Sequence, residues 1–239
     1  MQTKLRSLGK TIVARLPSSK RRQYRKVALH MTINIWRYGK IMIRKIYFFT
    51  LIICLVSCAS PINRKNAENY TRQGAIAIAN GDWQTARRAF ARAVVNADLG
   101  GVAPSTLAVL SYEYGRSLGV TCFFDDAAYY LKQAYDLDKE TGGPLYMSLV
   151  ELARLNLDQG KLAEAAEYYQ KAIPDLERHN VPQIGPIGYA DTLDEAAFAL
   201  AAINPKDASK LRLQAQTIRS EHPEGKSITD RTPYGKFCK

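Results

Sequence analysis

The chain is poor in residues that carry chemistry. Its 239 residues include four cysteines, three histidines and two tryptophans. So few cysteines exclude a disulfide-dense scaffold. His179 and His222 fall in expected loop or tail segments, and no HExxH, CxxC or glycine-rich phosphate loop occurs. The acidic pairs Asp125-Asp126 and Asp191/Asp194 lack a clustered base or metal-ligand spacing. They read as helix N-terminal residues, where the helix dipole favours negative charge. The expectation is a protein without catalytic residues, metal or cofactor. Acidic side chains are absent from positions 1–57, which hold 13 Lys+Arg, whereas positions 58–239 hold 21 basic and 22 acidic side chains. The formal charge of +12 thus belongs to the N-terminal segment. That distribution excludes a basic nucleic-acid-binding body. Long apolar runs are also lacking. The most apolar stretch runs only from Ile46 to Val56. A membrane span needs about 20 apolar residues.

That one run has informative flanks. Met42-Ile43-Arg44-Lys45 precedes it and Ser57-Cys58 follows. A basic start, a short apolar core and a small residue at the cut describe a secretory signal peptide. Leu55-Val56-Ser57-Cys58 resembles the lipobox of bacterial lipoproteins, while Cys54, preceded by Ile52 and Ile53, matches less well. The resemblance implies cleavage between Ser57 and Cys58, a diacylglycerol on the Cys58 thiol, and acylation of its new amino group by a chain such as palmitate. Ala59 stands where Asp commonly retains such proteins in the inner membrane, so the resemblance implies an outer-membrane anchor facing the periplasm.

Residues 1–41 precede this signal and read as an over-extended N-terminus, the start being Met1, Met31 or Met42. The other reading of this Arg-rich, acid-free leader is an organellar transit peptide. Lys20-Arg21-Arg22 and Arg25-Lys26 also have the spelling of a nuclear or nucleic-acid signal. The remaining divisions are a signal peptide over 42–57, a polar tether over 58–66, a helical domain over 67–220 and an extended tail over 221–239.

Beyond residue 66 apolar residues recur at three- and four-residue steps, the period of amphipathic helices. Ala86, Phe90, Ala93 and Val94 share one face; so do Ala127, Leu131, Ala134 and Tyr135, and Ala165, Tyr169, Ala172 and Ile173. Trp83, Phe124 or Leu162 precedes each face by three residues, and Gly74, Gly115 or Ala153 lies twelve residues before its first alanine. Small residues allow close helix approach and the large one fills the gap beside them. This spacing resembles the tetratricopeptide repeat, a helix-turn-helix of about 34 residues. The first alanines of the three faces, Ala86, Ala127 and Ala165, stand somewhat further apart than that, with the excess in loops at 98–105 and 139–144. The expected fold is all-α: a tetratricopeptide-like helical-hairpin solenoid of about three repeats. A degenerate pair, roughly 187–203 and 206–220, would cap it.

In that family the first helices line a concave groove that holds a partner segment. The resemblance places Tyr112, Arg116, Val150 and Arg154 in it. Arg116 and Arg154 occupy the same place in adjacent repeats, where two guanidiniums suit a carboxylate. Equally, Glu113 and Glu151, three residues before each arginine, make ordinary surface pairs. The family's Asn/Lys carboxylate clamp is not reproduced. Cys122 and Cys238 form a possible disulfide, because the extended tail from Glu221 is long enough to run back to the second repeat. Its reach at full extension is roughly 55 Å. The resulting expectation is a non-catalytic lipoprotein adaptor in a bacterial envelope assembly of the pilus, secretion, outer-membrane or polysaccharide-export type. Its partners would be envelope proteins at the groove and the membrane at Cys58, with no nucleic acid or small-molecule substrate. The alternatives are a single-pass anchored repeat protein with an uncleaved N-terminus, and a substrate-binding or enzymatic lipoprotein.

Overall fold

The computed structural model describes residues 60–227 and 230–238, so the leader, signal segment, Ser57 and Cys58 lie outside the described residues. Within them the chain forms nine helices and no strand. Helix α1 is described over residues 60–79. It is followed by α2 (Trp83–Gly100), α3 (Pro104–Val120), α4 (Phe124–Thr141) and α5 (Tyr146–Asp158). Next come α6 (Leu162–Arg178), the single turn α7 (Val181–Ile184), α8 (Pro186–Leu200) and α9 (Pro205–Glu221). None of the described helices is long and apolar enough to cross a membrane.

Local chemistry sets the helix ends. The Asp82 carboxylate accepts the Thr85 N–H at the start of α2, and Gly101 closes that helix in the left-handed conformation. Asp125 and Asp126 sit in the first turn of α4, as their sequence position suggested, and Gly142 ends it with φ +76°. Proline occupies the first turn of α3, α8 and α9, where its missing N–H costs nothing.

The helices pair as hairpins α1/α2, α3/α4, α5/α6 and α8/α9, and each hairpin packs on the next. The small-large-small faces form the core. Ala86, Phe90 and Ala93, then Ala127, Leu131 and Ala134, then Ala165, Tyr169 and Ala172 are all essentially fully buried. A Cβ placed on Gly74 would lie 2.6 Å from the Phe90 ring, and one on Gly115 would lie 2.8 Å from Leu131 Cγ. The large side chains of α2 and α4 therefore abut the bare backbone of the helix before them. Because the Leu131 amide nitrogen and the Ala127 carbonyl also lie at 3.1 and 3.2 Å, a new methyl group at 115 has no flexible neighbour to displace. Gly115→Ala is expected to destabilise by about 1–3 kcal/mol in urea unfolding, despite its better helix propensity. A neutral result would mean the hairpin is looser than drawn.

In the last hairpin Ala196, Ala208 and Ala215 are buried, but exposed Arg212 occupies the place of Phe90, Leu131 and Tyr169. With nothing stacked beyond it, this hairpin ends the solenoid with a polar outer side.

Three sequence expectations change. Residues 60–66, read as part of a polar tether, are helical. Ser60 Oγ and Arg64 Nε donate to Gly100 O at 2.9 and 2.7 Å. These polar residues thus satisfy carbonyls left over at the end of α2. Asp191 and Asp194 lie inside α8, not at its start, and both accept from the Arg219 guanidinium of α9 at 2.7 and 2.6 Å. The tail is not extended throughout: turns occur at 223–224 and 234–237.

Candidate functional site

The tail returns from the end of α9 across the first helices of three hairpins. Gly225 lies against Ile187 of α8. Arg231 then reaches the carboxylates of Asp158 (Nη2–Oδ1 2.6 Å, Nη1–Oδ2 2.9 Å) and Glu195 (Nε–Oε1 2.6 Å). Thr232, fully buried, accepts from Arg116 Nε at 2.9 Å. Tyr234 enters the core beside Trp83, Leu118, Leu152 and Leu155, and its hydroxyl donates to Glu151 at 2.6 Å. Gly119 is required there, because a Cβ would stand 2.5 Å from the Tyr234 ring. Gly235 and Phe237 donate their N–H groups to the Gly119 and Val120 carbonyls at the end of α3, the first of which also accepts from the Cys122 N–H.

Beneath the tail, charges of alternating sign run from hairpin to hairpin. Glu113 pairs with Arg116 at 3.0 Å, and Arg116 also faces Glu151 at 4.0 Å. Arg154 joins Glu151 at 3.2 Å and Glu195 at 2.8 Å, and Arg231 closes the row against Glu195 and Asp158. The Tyr169 hydroxyl also donates to Glu195. Glu151 is the most enclosed member, with a side chain 5% exposed between two guanidiniums and a tyrosine hydroxyl. Burial pushes the Glu113 carboxyl and the Tyr112 and Tyr234 hydroxyls above their ordinary values. Burial also raises Glu195, but the Arg154 charge, hydrogen bonds from Arg154 and Tyr169, and Arg231 outweigh it and hold the carboxyl below its usual range.

The depressed Glu195 gives a signed expectation. Its unfolded form takes up protons first, so its stabilisation is complete above the unfolded value of about 4.3 and is lost as pH falls through the lower folded value. Glu113 acts in the opposite sense, its contribution being present in acid and lost as pH rises through its raised folded value. Glu195→Gln should therefore cost most near neutrality. In urea titrations the gap to the parent should narrow as pH falls below the folded value. A gap independent of pH would show that the charge of Glu195 is not what it contributes.

The structure brings Tyr112, Arg116 and Arg154 together on this face. Arg116 lies over the Tyr112 and Trp83 rings at 5.4 and 5.7 Å. The two arginines do not form an open clamp for a foreign carboxylate, because Glu151 stands between them. Nor are Glu113–Arg116 and Glu151–Arg154 isolated surface pairs; both belong to a half-buried row. Val150 is absent from the face. It is 7% exposed and packs with Leu149, Leu176, Tyr189 and Leu193 between hairpins. Sequence reasoning missed Glu151, Asp158 and Glu195 as a set, and Arg231, Thr232 and Tyr234 as their partners. The sole available signal was the recurrence of Glu at the fourth position before Leu155 and before Ala199, which is too weak to use alone.

Cys122 and Cys238 are joined as a disulfide, with Cα atoms 5.4 Å apart. That separation is inside the range such bonds require. Cys122 occupies a particular place. It lies seven residues after Gly115, as Gly81 follows Gly74 and Gly160 follows Ala153. The three turn residues have φ of +70°, +73° and +74°, so the cysteine adopts the left-handed conformation that glycine takes in the other repeats. That costs a residue with a Cβ roughly 1–2 kcal/mol. A bond closing so long a loop offsets this by about 4–5 kcal/mol in the chain-entropy model.

No protein-family model and no curated protein sequence matches the chain. Solved structures do. A crystal structure of BtubC (BKLC) from P. vanneervenii superposes with a TM-score of 0.61 at 15% identity, over 69% of this chain and 67% of that one. Two crystal structures of a kinesin-light-chain-like protein from Podosopora anserina, with nearly identical TPR-like repeats, have TM-scores of 0.53 and 0.51. Their identities are 18% and 19%, over 73% and 65% of this chain and 86% and 76% of theirs. The fold is a tetratricopeptide-like solenoid. At such identities the likeness speaks to the fold and not to partners.

Gly115-Arg116-Ser117-Leu118-Gly119 has the GxSxG spelling of a hydrolase nucleophile turn. Here Ser117 lies within α3, is fully buried, and donates to Glu113 O at 2.8 Å. It has neither the strand-to-helix turn nor the exposure that chemistry needs. Among the described residues no group of three or more His, Cys, Asp or Glu side chains is placed to hold a metal ion. Away from the tail's contacts, α1 and α3 leave a cleft of about 1030 Å³ whose lining includes Ala75, Val102, Val109 and Leu110 with the charged Arg64, Glu68 and Arg72.

Proposed function

We propose that the chain is a lipid-anchored, non-catalytic adaptor that holds another protein against the first helices of its solenoid, within a bacterial envelope assembly. The observation that carries this reading is the cleft between α1 and α3. Its lining is mostly apolar and small, with Arg64, Glu68 and Arg72 among it, and Val109 is 58% exposed within it. A repeat scaffold with such a surface, and with no catalytic group assembled among the described residues, suits binding better than turnover. The lipobox-like Leu55-Val56-Ser57-Cys58, with Ala59 after it, supports an anchor at Cys58 in the outer membrane, facing the periplasm.

Each half of the reading has its own test. A photo-crosslinking residue at Val109 should capture a discrete envelope protein from native membranes, and the same probe at exposed Leu213 of α9 should not. Equal capture at both places would reject the cleft as the docking surface. Cys58→Ser removes the thiol that would carry the diacylglycerol, so acyl labelling and signal-peptide removal should both be abolished. Undiminished labelling would remove the lipoprotein half and leave the adaptor half standing.

A further inference from the structure

With Arg231 taken away, the charged row beneath the tail consists of Glu113, Arg116, Glu151, Arg154, Asp158 and Glu195. Four carboxylates then face two guanidiniums. An empty face would lack any cation at Asp158, the second cation at Glu195, a hydroxyl donor at Glu151, and a ring to cover Gly119. Arg231 and Tyr234 supply these from positions three apart, and Thr232 between them meets Arg116. The face thus offers a bidentate arginine site, a buried aromatic anchor, and backbone bonds at Gly119 and Val120. These are the marks of a peptide-recognition slot.

We infer that this face is a binding slot for an Arg-Thr-Pro-Tyr segment and that, once Cys122–Cys238 opens, it takes residues 231–238 of a second copy of the chain. This goes beyond the adaptor reading and does not depend on it. Apart from a bond between Arg231 and its neighbour Thr232, the contacts that seat the segment are made to residues at least 36 positions away in sequence. A segment arriving from another molecule would meet the same groups. Covalently, only residues 222–230 and the disulfide tie the segment to its own solenoid. Cys122 is the second sign. The repeat favours glycine at that turn, yet a cysteine with positive φ stands there, placed to decide whether the tail is locked. A short tether gives the cis segment an effective concentration of about millimolar, so exchange needs a comparable local density, such as crowding on a membrane surface. Reciprocal exchange closes a two-fold pair and leaves no slot empty.

The redox step balances with a dithiol as reductant. Cys238 is exposed and Cys122 half-buried. A dithiol thiolate attacks Cys238 Sγ, the Sγ–Sγ bond breaks, and Cys122 leaves as a thiolate that takes up a proton. The second thiol of the reductant displaces Cys238 in the same way. Two electrons and two protons pass to the protein, and the dithiol departs as a disulfide.

The first arm of the test uses the unsubstituted chain. Unlabelled and heavy-nitrogen-labelled full-length chains are mixed in equal amounts, reduced with dithiothreitol, and reoxidised with glutathione disulfide over a range of concentrations. Mass spectrometry then reads the disulfide-linked peptides. Mixed-isotope Cys122–Cys238 pairs should rise with concentration and exceed mixed-isotope Cys122–Cys122 and Cys238–Cys238 pairs by about tenfold, the scale of one good anchor contact. The unreduced mixture should show none. Two results would overturn the inference: no mixed-isotope Cys122–Cys238 pair at any concentration, or heterotypic and homotypic pairs in random proportion. A doubly substituted chain, Arg231→Ala with Tyr234→Ala, should lose the heterotypic excess. Retention of the excess also counts against the slot.

Discussion

Phe90→Ala is expected to lower the unfolding free energy by about 3–5 kcal/mol. The ring is 1% exposed and fills the space between α2 and the bare backbone at Gly74, which has no side chain of its own to close the void. The loss should stay local at first, because each hairpin of a solenoid leans only on its neighbours. Hydrogen exchange should therefore quicken over α1 and α2 and stay slow in α6, α8 and α9, which share no core with Phe90. A uniform rise over all described helices would show that the molecule unfolds as one body and that the repeats have no separate stability.

Glu151→Ala should cost about 3–5 kcal/mol, the scale for removing one partner from a buried ionic group. Glu151 is shared by Arg116, Arg154 and the Tyr234 hydroxyl, so its loss leaves two like charges with less compensation and a buried phenol without its acceptor. The remaining partners, Glu113 and Glu195, place the value toward the lower end of that range. Glu113→Ala, by contrast, removes a carboxylate whose side chain is 24% exposed and touches one arginine, and should cost much less. Differential scanning calorimetry of both variants checks the order. Equal shifts in Tm would mean that the row acts as separate surface pairs.

Cys122 and Cys238 show how far reading and structure overlap. The reach of a flexible tail, computed from residue count alone, allowed a return to the second repeat, and the structure takes that path. What residue count could not provide was the route's chemistry. Arg231, Thr232 and Tyr234 sit in a segment without periodicity, and nothing local announces that the partners of Arg231 are 36 and 73 positions away.

The helical hairpins were legible because the small-large-small pattern is a local consequence of the helical period. Gly74, Gly115, Phe90 and Leu131 stood out by spacing as small and large positions, and the structure sets Gly74 against Phe90 and Gly115 against Leu131. The polar start of α1 was misread because Ser60 and Arg64 show no apolar stripe there; their helicity rests on carbonyls of Gly100 and Gly101 nearly 40 positions later. Val150 was assigned to the groove by analogy of position. One residue's step around a helix separates a groove position from an inter-hairpin one, and packing against Tyr189 took Val150 inward. Sequence periodicity thus determined which residues form each hairpin. Only the stacking of hairpins, and the tail laid across them, decided which charges meet, because a charge carries no period and finds its partner through distance in space.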